Sequence, residues 1–324
     1  MRRLATIVFS LSFAGFFVST NVLALIRHIS YKPHQNVQAL SDLLQVLGLL
    51  QIFLASPLLP FLLIFLLYVP INLFREYKRI IMTILCSGAF GGLSGILLGV
   101  ISCHYLLLPN LTFRALFPDI RVIISSFVIH PFGMFSVGFS ALTLSYIRNP
   151  FRIRHPNQSE MFDKERRAWY LFAIVFILSY SSSFILAYKE SLSNIIFTQE
   201  DPKTVESLLK SISAIEHLRN LLGSPILPFL LVFLMCTPIP INLFKEYKRI
   251  IAGILISGYF GSIVGISSGF LFLKVPIDLW IPMMMLMIFP LFNDPISILF
   301  DTFSALSLIF IRKYENISKA EGEG

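Results

Sequence analysis

The sequence predicts an all-α fold: a polytopic transmembrane helical bundle of about eight membrane helices. They are set out as a tandem parallel repeat of two four-helix units, with an outer amphipathic helix in each. Composition, the length of the apolar stretches and a repeated text predict this. Hydrophobic residues make up 56% of the 324 and charged residues 14%, where a soluble domain carries about a quarter charged. Leu4–Leu25, Ile80–Leu108, Val122–Ile147, Trp169–Tyr188 and Ile250–Leu273 are each long enough to cross a bilayer, which takes about 20 helical residues. The short alternating segments of a membrane β-barrel do not occur in the sequence.

Four landmarks recur in one order. TIVFSLSF (6–13) is answered by AIVFILSY (173–180), and SPLLPFLLIFLL (56–67) by SPILPFLLVFLM (224–235). INLFREYKRII (71–81) is answered by INLFKEYKRII (241–251), and FSALTLSYIR (139–148) by FSALSLIFIR (303–312). The offsets of 167, 168, 170 and 164 place insertions and deletions between landmarks, and the unit is far longer than a solenoid period. Four helices return the chain to its starting side, so the two units share an orientation about a pseudo-axis along the membrane normal. The expected division is 1–150 for the first repeat, 151–167 for a cytoplasmic linker, 168–313 for the second repeat and 314–324 for a cytoplasmic tail.

Charge sets the orientation. With the N-terminus inside, 17 of the 26 Lys and Arg fall on inner segments, which predicts both termini in the cytoplasm of a cell bounded by a plasma membrane holding this protein. The net charge of +8 is dispersed between apolar spans and forms no continuous basic face. That pattern fits a membrane protein and argues against a nucleic-acid partner. The first 24 residues have the basic start, apolar run and V-x-A ending of a cleaved signal peptide. Their match to the internal segment 173–180 predicts instead that helix 1 is retained.

The elements follow in order. Each Ser-Pro-x-Leu-Pro reads as a helix start: Ser56 or Ser224 caps the first turn, and Pro57 or Pro225 suits the first helical position. From Pro57 to Phe74 the expected helix nearly spans the hydrocarbon core. Before it lies a separate helix. In the second unit Leu208, Ile212, Ile215, Leu218 and Leu222 mark its apolar face and Gly223 its end. Its counterpart at 41–55 is more apolar and is expected to sink deeper.

The eleven-letter repeat reads as the cytoplasmic start of helices 3 and 7. Asn72 and Asn242 are its caps, while Arg75, Tyr77, Lys78 and Arg79, with Lys245, Tyr247, Lys248 and Arg249, are placed to meet headgroups, including anionic ones. A docking surface for a cytoplasmic partner protein is the alternative. Gly91, Gly95 and Gly99, with Gly261, Gly265 and Gly269, form four-residue stripes that admit a close backbone. Helices 3 and 7 facing each other across the pseudo-axis are the expected close-packed centre; a pore-flanking face is the other use.

Polar residues inside spans mark candidate sites. His130–Pro131 aligns with Asp294–Pro295, and Asp301 lies one heptad beyond Asp294, opposite Val137 in the alignment. A carboxylate at mid-membrane costs about 2.5–3.5 kcal/mol on insertion scales, so it faces a bundle interior or water and is a functional candidate. A carboxyl hydrogen-bonded to Ser304 is the structural alternative. Cys86, Cys103 and Cys236 are isolated and expected to pack as small apolar groups. Neither a metal site nor a cofactor motif is present in the sequence. The leading expectation is a transporter or channel-like protein with a polar pathway between pseudo-symmetric halves. A membrane scaffold docking through its basic loops comes next, and an intramembrane enzyme using His130, Asp294 and Asp301 last.

Overall fold

The computed structural model describes residues 1–31, 37–66, 73–107, 128–148, 165–196, 202–222, 224–236, 243–276, 280 and 287–322. Among the described residues every regular element is helical. The chain divides into two compact units, Met1–Asn149 and Pro150–Gly324. Among the described residues, five segments are long and apolar enough to cross a membrane: Arg2–Ile26, Arg75–Tyr105, Trp169–Ser193, Glu246–Phe272 and Leu291–Lys313.

Unit 1 holds α1 (Arg2–Tyr31), α2 (Val37–Ala55), α3 (Leu58–Leu66), α4 (Leu73–Ser102) and α5 (His130–Arg148), with a π-helical turn, Cys103–Leu107, closing α4. The closest partners are α1 and α4; α5 packs on α4 and α3, and α2 rests on α1. Glycine makes the first contact possible. A Cβ at Gly91 would stand 2.5 Å from the Phe9 carbonyl oxygen, one at Gly95 would collide with the Phe13 carbonyl, and one at Gly99 would stand 2.8 Å from Thr20 Cβ. No residue with a side chain fits these three positions unless the backbones move apart.

Unit 2 holds α6 (Glu165–Ile196), α7 (Pro202–Leu222), α8 (Ile226–Cys236), α9 (Leu243–Phe272) and α10 (Ile288–Gly322). Here α6 lies along α9, α10 packs on α9 and α8, and α7 rests on α6. A Cβ at Gly261 would stand 2.6 Å from the Phe176 carbonyl oxygen, one at Gly265 would collide with the Tyr180 carbonyl, and one at Gly269 would stand 2.8 Å from Ala187 Cβ. This corrects the expected centre. Each glycine stripe is filled by the first helix of its own unit, so neither is left open to face the other or to flank a pore.

The Ser-Pro segments start helices through their side chains. Ser56 Oγ accepts from Leu58 N and Ser224 Oγ from Ile226 N, both at 3.4 Å, which satisfies donors that a first turn leaves unpaired. As described, α3 has 9 residues and α8 has 11, about 14 and 17 Å of helix, short of a hydrocarbon core about 30 Å thick. Residues 67–72 and 237–242, which would complete the expected longer helices, and Gly223 lie outside the described residues.

The outer helices differ in their exposed faces. On α7, Leu208, Ile212, Ile215 and Leu222 are half-buried, whereas Leu218 is exposed. Lys189 of α6 reaches Glu216 of α7 at 3.3 Å. On α2 the outward face is apolar, with Val46, Leu49 and Phe53 all more than half exposed. Helix α6 begins at Glu165 and α10 runs on to Gly322.

Candidate functional site

The last helix of each unit carries the polar chemistry. In α5, Met134–Thr143 is buried on all sides, and in α10 the same holds for Asp301–Ile309. Both stretches mix aromatic residues with small hydroxyl residues: Ser136, Ser140 and Thr143 in one, Thr302, Ser304 and Ser307 in the other.

In unit 1 the junction of α1, α4 and α5 is built around His130. Its Nε2 lies 2.9 Å from Ser12 Oγ, and its ring stands edge-on to Phe16 at 4.9 Å. Pro131 follows and fills the notch at Gly88, where a Cβ would come within 3.1 Å of Pro131 Cα. A missing side chain on α4 thus seats the start of α5. The polar contact then holds a half-buried imidazole that would otherwise lose a hydrogen bond.

In unit 2 the corresponding junction joins α6, α9 and α10. Ser182 Oγ donates to Asp294 Oδ2 at 3.3 Å. Pro295 fills the notch at Gly258, where a Cβ would stand 3.1 Å from Pro295 Cβ and 3.5 Å from Ser179 Oγ. The hydroxyls of Ser179 and Ser262 are buried without a hydrogen-bond partner. Arg219, half-buried on α7, places a positive charge that acts on Asp294.

Asp301 sits seven residues after Asp294, about 10.5 Å along the axis and on the same helix face. It is 4% exposed. Ser304 Oγ donates to the main-chain carbonyl of Asp301 at 2.9 Å, so this hydroxyl serves the backbone. Thr302, next in the chain, has a buried hydroxyl without a partner. A buried hydroxyl of this kind calls for a water or an ion to complete it.

The remaining candidates fall elsewhere. Arg75, Lys78, Arg79, Lys248 and Arg249 are exposed, with Lys78 Nζ 5.6 Å above the Tyr77 ring and Lys248 Nζ 6.0 Å above that of Tyr247. Tyr77 itself is buried and Tyr247 half-buried. Asn72, Asn242 and the side chain of Lys245 lie outside the described residues. Cys103 and Cys236 are buried, but Cys86 is exposed, and Cys103 Sγ donates to Asn21 Oδ1 at 3.0 Å rather than packing only as an apolar group. Among the described residues there is no group of three or more His, Cys, Asp or Glu placed to hold a metal ion.

Ser12, Ser179, Ser182, Gly88, Gly258 and Arg219 are the site members that sequence reading did not assign. The two glycines stand in matching stretches, SGAFGG (87–92) and SGYFGS (257–262), each one turn before its stripe. That position was the available signal. Chemically, a carboxylate with neighbouring hydroxyls is a set of oxygen ligands for a proton or a small cation, and the charge of Arg219 works against either. Compared with protein-family models, curated proteins and solved structures, the chain matches none.

Proposed function

We propose that this multi-pass membrane protein is a transporter or channel-like protein that moves protons or small cations along the polar face of α10. Asp301 carries the reading: a carboxyl residue, 4% exposed, inside a helix long and apolar enough to span a membrane. An acid in such a place is costly, and a pathway for charge is a common reason to retain it. Asp294 on the same face, the unpartnered hydroxyl of Thr302 and the contacts that recur at sequence-matched positions support it. The accompanying topology is a parallel repeat of four crossings each, in the plasma membrane, with both termini cytoplasmic.

In proteoliposomes an imposed proton or sodium gradient should dissipate faster than in protein-free vesicles; equal rates for both ions would contradict the reading. The topology has its own test in a cysteine-free variant. Gln158→Cys and Glu323→Cys should label only from the cytoplasmic side and Glu200→Cys only from outside. Labelling of 158 and 200 from one side would overturn it. The exposure of Lys78, Arg79, Lys248 and Arg249 favours a second reading, a scaffold docking an acidic cytoplasmic partner. Under that reading, neutralising these four residues removes partner binding, and vesicle flux is absent.

A further inference from the structure

We propose that the junction of α6, α9 and α10 in unit 2 is a binding site for an alkali-metal cation, held by the Asp294 carboxylate and the hydroxyls of Ser179 and Ser182. It rests on the transport reading for its role and adds the identity of the ion.

The matched residues of unit 1 differ at one polar position. Ser12 and Ser179 occupy the same place in the repeated text TIVFSLSF and AIVFILSY. Ser12 is engaged by the His130 ring nitrogen at 2.9 Å. In unit 2 the residue before the proline is an aspartate, whose shorter side chain bonds Ser182 one turn away. Ser179 is fully buried, its hydroxyl has no partner, and it points into the Gly258 notch that Pro295 occupies beside Asp294. A buried hydroxyl in this state gains from an ion or water that it can bind through its oxygen.

The donor set selects the class of ion. The named ligands are carboxylate and hydroxyl oxygens, hard donors that suit an alkali ion better than zinc or copper. Pro295 has no N–H to give to the Leu291 carbonyl, and Leu291 lies three residues before Asp294, on the same helix side. One carboxylate balances one positive charge. A divalent ion would retain an excess charge in an apolar setting, where an unbalanced ion is expensive. Arg219 already places a positive charge near the same carboxylate. That charge works against a cation bound at Asp294, so removing it favours binding.

Thermal unfolding of the purified full chain in sodium, potassium or choline chloride at fixed ionic strength tests the site, together with equilibrium binding of radioactive sodium. Sodium or potassium should raise the midpoint and choline should not. Asp294→Asn should abolish the difference, Ser179→Ala should weaken affinity about tenfold, and Arg219→Gln should tighten it about tenfold. Ser179→Ala and Arg219→Gln decide the matter if Asp294→Asn does not fold, because they move affinity in opposite directions. A response shared by choline, or one unchanged in Ser179→Ala and Arg219→Gln, overturns the site. Saturable binding without vesicle flux upholds the site and overturns the transport reading. Flux that is indifferent to both Asp294→Asn and Ser179→Ala upholds transport and overturns this site.

Discussion

In unit 1 the residue before the α5 proline is an imidazole in contact with Ser12; in unit 2 the residue before the α10 proline is a carboxylate bonded to Ser182. Around these different groups the packing agrees position by position. Pro131 sits on Gly88 and Pro295 on Gly258, and the three glycines beyond each notch meet the first helix of their own unit. The difference teaches which features tolerate change. Contacts that need a bare backbone have no side-chain substitute, whereas the polar group beside them is replaceable wherever a serine remains in reach. Unit 2 also buries Asp301, where the aligned residue of unit 1 is Val137.

The largest expected effect breaks the shared packing. Gly95→Leu or Gly265→Leu places a side chain against a main-chain carbonyl and should destabilise by more than about 3 kcal/mol, the upper range for overpacking. Leu93→Ala, at a half-buried position of the same helix, should cost well below that. Size-exclusion profiles and unfolding midpoints in detergent read both. Equal and mild losses would show that the glycine stripes are not close contacts.

A smaller effect sharpens the polar difference. Ser182→Ala removes a hydrogen bond to a carboxylate and should cost about 1.5–3 kcal/mol, against about 1 kcal/mol for Ser12→Ala beside a neutral imidazole. The same unfolding assay compares them, and the reverse order would place the more demanding charge in unit 1. The smallest effect concerns the outer helices. Lys189→Ala removes an ion pair whose Glu216 side chain is 51% exposed, so the midpoint should move by less than about 1 kcal/mol in stability. A larger loss would make this pair a principal tether of α7.

Much of the fold was legible because its determinants are local. Ser56 and Ser224 cap the helices that their Ser-Pro sequences announce, and the four-residue spacing of the glycines marked close-contact faces. What occupied those faces was not legible. A glycine stripe states where a backbone can approach, not whose, and the small residues that receive it, Ser12 and Thr20 on α1 and Ser179 and Ala187 on α6, stand among aromatic residues that draw the eye first. Gly88 and Gly258 escaped notice because each receives a proline ring instead of a helix backbone. The continuation of α10 past Lys313 has a local reason as well. The polar text after Lys313 signals departure from apolar surroundings, but it contains no proline and no glycine before Gly322, so nothing stops the helix. His130, Asp294 and Asp301 stood out as ionisable residues in apolar text, whereas the serines that complete their surroundings are ordinary in membrane helices.

Ion flux into proteoliposomes, measured side by side for the wild type, Asp301→Asn and Asp301→Glu, tests the role of α10 most directly. The amide keeps the shape and hydrogen-bonding capacity of the carboxyl while removing its charge, and the glutamate keeps the charge with one added methylene. The asparagine variant should fold with a near-normal unfolding midpoint and lose gradient-driven proton or sodium flux, while the glutamate variant should retain a measurable part of it. A folded Asp301→Asn protein that transports as fast as the wild type would contradict the claim that this buried acid serves the passage of charge.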